Sequence, residues 1–465
     1  MGMQSDWWSE ISPDMGKSYG SYLHDVCTGQ DFLDFMTFFA TSPISYNHPS
    51  LLDPEFKEKI GKIALHNPSN SDFWTDEMAG FVTTFRTAMG KTGRDFPHFF
   101  IVSGGALAVE NALKAAFDWK IKKNIGFENL SFNDIQTNWS QKPRLTGDRV
   151  ICFEEAFHGR SGYTLSLTHT YDRRKYMFFP KFNDWVRVSN PKINHPLEKN
   201  LSDVVEAEKR TLKEIRDIIN QDSEGGRSFA AIIIEPVQGE GGDNHFRAEF
   251  FEGLRNIADE YNILLIYDEV QTGMGLTGAM WCFEHFGEKA KPDIICFGKK
   301  YQVCGILASR KLDEVRYNAF SEERDPNGIA WGKSRLNSTW GGNWVDMIRC
   351  QKYLEIIMEE NLIKNAAEMG NLFMKGLLSL QEKYQDILTN VRGRGLMAAV
   401  DLCDYAGKKA PQIRDMLKNK IKENHMLVLP SGQKGMRFRA HLDVTSKELE
   451  HGLEILENSI KAIKA

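Results

Sequence analysis

The sequence lacks features that would assign it to a membrane, secreted or nucleic-acid-binding class. No stretch approaches the ~20 consecutive apolar residues of a membrane span. A secretory signal has an apolar run behind basic residues, and the segment Met1–Trp8 has no such run. The net charge is −5, with acidic and basic residues interleaved, so no basic face for nucleic acid is evident. We therefore expect a soluble, cytoplasmic protein without a membrane or nucleic-acid partner.

Cysteine is also sparse, with seven residues scattered through 465 and no paired close spacing. An odd count without a motif suits a reducing compartment and predicts neither a disulfide framework nor a metal site.

A chain of this length with 42% apolar residues can bury a large core and is expected to divide into two domains.

Short apolar runs that resemble buried strands alternate with helical stretches over most of the chain. We predict strands at 98–102, 149–153, 230–234, 263–267 and 294–298. Helices are predicted between them, for example at 106–122 and 247–262. This alternation predicts an α/β fold with a mainly parallel sheet and helices on both faces.

The C-terminal part of the chain has a different pattern. A long helical run is predicted at 344–384, followed by a strand at 395–401 and an amphipathic helix. A further strand around Arg437 and a last helix from Ser446 complete this part. These elements predict a smaller α+β domain.

Two charged residues each end an apolar run. Asp268 follows 263–267, and Lys299 follows 294–298. Ligands of open α/β sheets bind outside the carboxyl ends of the strands, so both side chains are expected in one crevice. An acid and a lysine there suit pyridoxal phosphate (PLP), which takes a lysine for its Schiff base and an acid to keep its ring nitrogen protonated. A buried Asp–Lys ion pair is the alternative interpretation.

A candidate phosphate site lies between the first predicted strand of the sheet and its helix. In Ser103-Gly-Gly-Ala106 the helix N-terminus offers backbone N–H groups and a positive dipole end to an anion. An ordinary tight turn, with glycine for backbone freedom, would give the same pattern.

The segments Asp268–Gly273 and Pro292–Lys299 resemble the signature of the class III (ornithine-type) aminotransferases. The resemblance extends from about Tyr22 to Ala440. It implies the PLP-dependent transferase fold of type I, with PLP as cofactor and Lys299 and Asp268 as catalytic residues. It also implies a large PLP-binding domain at 76–343 and a small domain made of 1–75 and 344–465.

The resemblance assigns further cofactor contacts by position. Gly105 and Ala106 match the residues that contact the cofactor phosphate. Ser338 and Thr339 match a segment that reaches the phosphate from the other subunit, which implies a homodimer. Three more residues match contacts to the cofactor ring: Phe157 and His158, which cover the ring face, and Gln271, which binds the phenolic oxygen and lies close to substrate.

Substrate contacts are implied in the same way. Arg160 and Arg437 match two carboxylate-binding arginines, and planar guanidinium groups bind carboxylates bidentately. Glu240 matches a glutamate that pairs with Arg437. When a terminal amine reacts, no carboxylate lies beside the reacting carbon, and a buried arginine left there without a partner would be costly. A glutamate that pairs with this arginine and then swings away would serve both substrates.

Departures from the family pattern leave some assignments open. Phe39 stands at a substrate-contacting position where ornithine aminotransferases have tyrosine. Arg439 rivals Arg437, because residues two apart on a strand point the same way. Lys300 rivals Lys299, although the count from Asp293 favours Lys299.

Several further segments narrow the resemblance to the lysine 6-aminotransferase branch of the family, among them Pro68–Asp72, Leu165–Thr168 and Gly239–Arg247. This branch implies transfer of the ε-amino group of L-lysine to 2-oxoglutarate, which gives 2-aminoadipate 6-semialdehyde and glutamate. Ornithine, acetylornithine or 4-aminobutyrate as donor are the alternatives.

Two other protein classes are alternative interpretations of the sequence. Gly273-Met-Gly-Leu-Thr-Gly278 fits the G-x-G-x-x-G pattern of dinucleotide-dependent oxidoreductases. That turn needs its first glycine directly after a strand, whereas Asp268–Thr272 intervene here. A PLP-binding regulator would add a DNA-reading module, and no basic helix-turn-helix pattern precedes residue 75.

Overall fold

The computed structural model describes all residues except 1–9, 71–72, 132, 135–145 and 183. The segment Met1–Trp8 and the end of the segment Pro68–Asp72 lie outside the described residues. Two compact units are present: the larger comprises Pro68–Gln271 and Cys282–Met347, and the smaller comprises the chain up to Asn67, Thr272–Trp281 and Ile348–Ala465. The large domain expected at 76–343 therefore differs from the larger unit at both ends and at 272–281.

The described strands and α-helices are numbered in chain order. The strands are β1 Pro13–Tyr19, β2 Tyr22–Asp25, β3 Asp31–Asp34, β4 His98–Val102, β5 Arg149–Phe153, β6 Val186–Val188, β7 Phe229–Ile234, β8 Leu264–Asp268, β9 Ile294–Phe297, β10 Cys304–Ala308, β11 Leu388–Arg394, β12 Met397–Leu402, β13 Met426–Leu427, β14 Leu429–Ser431 and β15 Gly435–Arg439. The helices are α1 Pro54–Ala64, α2 Asp76–Asp95, α3 Gly105–Ile125, α4 Gly162–Leu167, α5 Leu197–Gln221, α6 Gly239–Gly242, α7 Ala248–Glu260, α8 Trp344–Glu359, α9 Leu362–Lys383, α10 Ala410–Glu423 and α11 Ser446–Lys464.

The larger unit is built on a seven-stranded sheet with the order β4-β10-β9-β8-β7-β5-β6. The strands from β9 to β6 are parallel, whereas β10 runs antiparallel to both β9 and β4. Helix α3 packs on the sheet through Ala108, Ala112 and Ala116, whose small side chains allow a close approach. The mainly parallel α/β sheet predicted from the sequence is confirmed, and all five predicted strands are found within one residue at each end.

The smaller unit contains two four-stranded sheets. One has the order β1-β2-β3-β13, with β13 parallel to β3, and the other is the antiparallel sheet β11-β12-β15-β14. The last helix begins at Ser446 as predicted, where Thr445 and Glu448 form a capping box. The helical run predicted at 344–384 is found as two helices. Asn361 has a φ of 55°, which an α-helix cannot accommodate, so the run divides into α8 and α9.

The G-x-G-x-x-G segment does not form a dinucleotide-binding turn. Residues 272–281 are a series of turns with positive φ at Gly275 and Gly278. They lead into a short 3-10 turn at Cys282–Phe286 and not into an α-helix. This geometry removes the structural basis for the oxidoreductase alternative.

The described residues also allow disulfide bonds, metal sites and membrane-spanning helices to be assessed. The seven cysteines are free. In the part of the chain that the structure covers, three or more His, Cys, Asp or Glu side chains nowhere gather as metal ligands would. None of the described helices is both long and apolar enough to cross a membrane.

Candidate active site

The acid and the lysine lie at the same edge of the large sheet. Asp268 is the last residue of β8 and pairs in register with Cys296 of the parallel neighbour β9. Lys299 follows β9 after Gly298 and adopts a left-handed φ of 52°. Such a backbone conformation costs a non-glycine residue about 1–3 kcal/mol and is found mainly where function requires it.

Val270 connects three parts of this edge by packing. A methyl group added at Gly105 would lie 2.9 Å from Cγ1 of Val270. One added at Gly298 would lie 3.5 Å from the same atom and 2.8 Å from Sγ of Cys304. The start of α3, the end of β8 and the backbone before Lys299 therefore meet around one side chain, and glycine is required at both positions.

The start of α3 has the geometry expected of an anion site. Gly104 precedes the helix with a φ of 104°, and no side chain caps the N-terminus. The first N–H groups of an α-helix have no partner within the helix, so Gly105 and Ala106 can donate to a ligand. The hydroxyl of Ser103 donates to the carbonyl oxygen of Trp340 over 2.9 Å, which holds the preceding turn in place.

Asp268 is buried and hydrogen-bonded on both oxygens. Its Oδ2 lies 2.8 Å from Nδ1 of His158, and its Oδ1 accepts the N–H of Val270 over 3.1 Å. The Nε2 atom of His158 is buried without a hydrogen-bond partner among the described residues. An imidazole that donates its Nδ1–H to Asp268 keeps the carboxylate oriented.

A second carboxyl group, Glu235, lies directly after β7. It accepts the N–H of Phe157 over 2.8 Å and the N–H of Gly239 over 3.3 Å. Burial, and after it the charge of Asp268, raises the pKa of Glu235 well above its usual value. Glu235 thus links the backbone at Phe157 to the backbone at Gly239, and burial favours its neutral form.

Phe157 is half-buried and has two cations beside its ring. Cζ of Arg160 and Nζ of Lys175 each lie 5.9 Å from the ring centroid. Lys175 also forms an ion pair with Glu240. The predicted pairing of Glu240 with Arg437 stays a prediction.

Two tight contacts fix the neighbouring loops. A methyl group added at Gly159 would lie 2.6 Å from Cβ of Ala106, so the Phe157 loop packs directly on the start of α3. One added at Gly239 would lie 2.4 Å from Oε1 of Gln271. Gln271 therefore lies against the start of α6, the one-turn helix that carries Glu240.

The two adjacent lysines have different surroundings. Nζ of Lys300 is buried and donates to the carbonyl oxygen of Gln271 over 2.6 Å. Lys299 is less buried, and its charge acts on Glu235. Lys300 thus has a hydrogen bond to the backbone, and Lys299 as the reactive lysine stays a prediction.

The remaining substrate candidates belong to the smaller unit. Arg437 and Arg439 lie on β15 and are both buried, and Nη1 of Arg439 donates to the carbonyl oxygen of Phe438 over 2.9 Å. Phe39 is half exposed and lies in Thr37–Ala40, a turn in which all four residues have positive φ. Runs of left-handed non-glycine residues are energetically costly, so the surrounding structure must impose this turn.

Ser338 and Thr339 lie beside an exposed groove of the larger unit. The groove has a volume of about 590 Å³ and is lined along the edge strand β4 by His98–Ile101, together with Trp74 and Ser338. Thr339 is exposed. The sheet edge and aromatic residues at this groove form a surface suited to docking.

Sequence reasoning missed Glu235 and Lys175. Glu235 directly follows the apolar run 230–234, which is the same signal that identified Asp268, so it could have been found. No local pattern marks Lys175, whose ion pair with Glu240 joins residues 65 positions apart.

Comparison with known proteins gives consistent results. The sequence model of the family described as class-III aminotransferases matches residues 4–460. The L-lysine-epsilon aminotransferase of Amycolatopsis lactamdurans is 40% identical over 96% of this chain and 91% of its own length. The mitochondrial 4-aminobutyrate aminotransferase of Homo sapiens is 31% identical over 92% of this chain and 80% of its own. A solved lysine aminotransferase from M. tuberculosis, in the internal aldimine form, superposes with a TM-score of 0.86 at 38% identity, covering 100% of this chain and 97% of that structure.

Proposed function

Because this chain belongs to the class III aminotransferases, we propose that it transfers the ε-amino group of L-lysine to 2-oxoglutarate. The products are 2-aminoadipate 6-semialdehyde and glutamate. As a member of this family the chain is a PLP-dependent transaminase. The choice of donor is supported by the nearly full-length similarity to L-lysine-epsilon aminotransferases at about 40% identity, against 31% for the human 4-aminobutyrate enzyme.

The residues at the sheet edge fit PLP. The uncapped start of α3 suits its phosphate, and the buried carboxylate of Asp268 suits a protonated ring nitrogen. Lys299 is the lysine for covalent attachment. Phe157 and His158 would cover the ring, Gln271 would bind its phenolic oxygen, and Ser338 and Thr339 would reach its phosphate. When bound, PLP supplies an electron-accepting ring that stabilises negative charge on the carbon that carries the amino group.

Within this site the chain supplies proton transfer and orientation. Lys299 would accept a proton from C6 of lysine through Nζ and return it during the transfer. Asp268 keeps its negative charge next to the ring nitrogen, with His158 holding its orientation. Glu235 holds the Phe157 loop and the start of α6 through their N–H groups, which keeps both walls in place.

Substrate carboxylates are assigned to arginines. Arg160 lies beside the Phe157 ring, and it would bind the carboxylate at the far end of lysine or of 2-oxoglutarate. Arg437 is the second carboxylate-binding arginine by resemblance, and the Arg439 hydrogen bond to a backbone carbonyl supports this choice. Phe39 is assigned to the wall that contacts the aliphatic part of the substrate.

We assign the groove along β4 to a second copy of this chain. Trp74 lines this groove and is 91% exposed, and an exposed aromatic residue of this size is typical of interfaces. A homodimer would also bring Ser338 and Thr339 to the phosphate site of the partner. Light scattering of the purified protein tests the assignment, with a dimer expected and a monomer contradicting it.

A panel of amine donors tests the reaction. L-lysine, L-ornithine, N-acetylornithine and 4-aminobutyrate should each be tested with 2-oxoglutarate, and glutamate formation measured. We expect the largest kcat/KM with L-lysine. A larger value with any other donor would reassign the substrate without changing the family.

A further inference from the structure

Cys304 is the first residue of β10, the strand that runs antiparallel to both of its neighbours in the large sheet. It pairs in register with Val102, the last residue of β4, and the residue after it pairs with Phe297, the last residue of β9. The turn Ser103–Gly104 follows β4, and Lys299 follows β9 after one glycine. Cys304 therefore lies between the segment assigned to the cofactor phosphate and the segment that carries the lysine.

The thiol of Cys304 contacts both of these segments. The backbone N–H groups of Gly104 and Lys299 both donate to its sulfur. A methyl group added at Gly298 would lie 2.8 Å from this sulfur, so the backbone before the lysine packs directly against it. Cys304 is buried, and burial raises the pKa of its thiol, which the two N–H groups offset only in part. The thiol thus stays neutral near pH 7 and accepts the two hydrogen bonds through its sulfur.

Both donors belong to residues with positive φ. Gly104 has a φ of 104°, and Lys299 has a φ of 52°. A left-handed conformation is costly for a non-glycine residue such as Lys299, and it persists only where the surrounding structure imposes it. A hydrogen bond from its N–H group to Cys304 supplies part of that constraint. One sulfur atom thus helps to fix the backbone at two turns that are far apart in the sequence.

We propose that Cys304 is a positioning residue that sets the spacing between the two points at which the chain holds PLP. These points are the phosphate site at the start of α3 and the amino group of Lys299, and the role rests on the proposed function, which assigns them. PLP carries its phosphate arm and its reactive aldehyde on neighbouring carbons of one rigid ring. Two linked groups of one ligand gain affinity from each other only when the geometry of the protein lets both bind at once, and a preorganised site retains more of this gain.

Three ligands measure this spacing. PLP engages both points, pyridoxal lacks the phosphate, and inorganic phosphate lacks the ring. The full-length apoenzyme is titrated with each ligand, by absorbance for PLP and pyridoxal and by calorimetry for phosphate. In Cys304→Ala, Kd for PLP should rise about tenfold, whereas Kd for pyridoxal and Kd for phosphate should each change less than about threefold. An unchanged Kd for PLP would overturn the proposal. A rise for PLP that equals the rise for one of the other ligands would also overturn it, because Cys304 would then act on one point alone.

Two further substitutions separate the hydrogen bonds from packing. Cys304→Ser keeps an acceptor, so its Kd for PLP should stay within about threefold of the wild-type value. Cys304→Val fills the space of the thiol without an acceptor and should weaken PLP binding as Cys304→Ala does. It also provides the measurement if the cavity left by alanine prevents folding. Weak binding by Cys304→Ser, or wild-type binding by Cys304→Val, would indicate packing alone and would overturn the proposal.

Cys152→Ala is the matched control. Cys152 is a buried cysteine of the same hydrophobic core, and its thiol donates to the carbonyl oxygen of Val186 over 3.5 Å. Its replacement should lower Tm by an amount similar to that of Cys304→Ala and leave Kd for PLP unchanged. An equal rise of Kd for PLP in the two variants would indicate a general loosening of the core and would overturn the positioning role.

Failure of the proposed site would be visible separately. Borohydride reduction of the wild-type protein with PLP, followed by peptide mass mapping, identifies the attached lysine. A label on a residue other than Lys299 would remove one of the two points and the role of Cys304 with it. A label on Lys299 together with an unchanged Kd for PLP in Cys304→Ala would overturn the role of Cys304 alone. The identity of the amine donor affects neither result, because the titrations contain no substrate.

Discussion

His158 donates from Nδ1 to Oδ2 of Asp268 over 2.8 Å, and both side chains are buried. The bond joins the residue expected to cover the cofactor ring to the residue expected to hold its nitrogen. Because the other ring nitrogen of His158 has no partner among the described residues, the hydrogen bond to Asp268 is the polar contact that fixes the imidazole.

This relationship predicts graded effects of two substitutions. Asp268→Asn should lower kcat by several orders of magnitude, because a neutral amide cannot keep the ring nitrogen charged. His158→Phe should lower kcat by about ten- to a hundredfold, since a hydrogen bond to a charged group contributes about 1.5–3 kcal/mol and about 1.4 kcal/mol corresponds to a tenfold change in rate. Steady-state kinetics measures both.

The control for His158 is His169→Phe, which replaces a histidine whose ring packs on Tyr176 instead. We expect a smaller loss for the control than for His158→Phe. Near wild-type activity of Asp268→Asn would mean that the acid is structural.

Lys299→Ala should abolish turnover and leave the cofactor bound only non-covalently, because both the attachment point and the proton carrier are lost. Lys300→Met is the matched variant. It removes the hydrogen bond to the carbonyl oxygen of Gln271 and should lower stability while keeping turnover measurable. Borohydride reduction followed by peptide mass mapping should label Lys299, and a label on Lys300 would contradict the assignment.

Thr339 provides a test of the site across the dimer. Lys299→Ala and Thr339→Ala chains with different tags can be co-expressed, and the mixed dimer can be purified. If Thr339 serves the partner's site, one of the two sites of the mixed dimer has both residues, and activity should return to about half that of the wild type. No recovery above the Thr339→Ala dimer would mean that Thr339 acts within its own chain or not at all.

Glu235 predicts a pH dependence of stability. Burial, and then the charge of Asp268, raises its pKa in the folded protein above the usual 4.5. The group therefore contributes stability that is complete below its unfolded-state pKa and is lost as the pH rises through the folded-state pKa. Glu235→Gln cannot ionise, so its Tm relative to the wild type should rise with increasing pH above about 4.5. A Tm difference that is independent of pH would contradict a protonated Glu235.

Much of the site could be predicted because its signals are local. Asp268 and Lys299 each follow a short buried strand, and the turn before α3 carries its glycines in sequence. The direction of β10 could not be read in this way, because an apolar run such as Cys304–Ala308 does not show which neighbours it will pair with.

Backbone conformation and side-chain contacts set the features that the sequence did not reveal. Thr37–Ala40 has no glycine, and its left-handed turn depends on Asp34, whose Oδ1 accepts the N–H groups of Met36 and Thr37. The ion pair of Lys175 with Glu240 likewise forms only once the chain has folded. The break between α8 and α9 depends on the conformation of one residue, Asn361, which hydrophobic periodicity does not register.

The proposed transfer of the ε-amino group is tested most directly with isotope-labelled lysine. The wild-type enzyme is incubated with 2-oxoglutarate and L-lysine that carries ¹⁵N either at the ε-amino or at the α-amino position. Mass spectrometry of the glutamate formed then identifies the nitrogen that was transferred. We predict ¹⁵N-glutamate from the ε-labelled lysine and unlabelled glutamate from the α-labelled lysine. ¹⁵N-glutamate from the α-labelled lysine, or no glutamate from either, would contradict the proposed reaction.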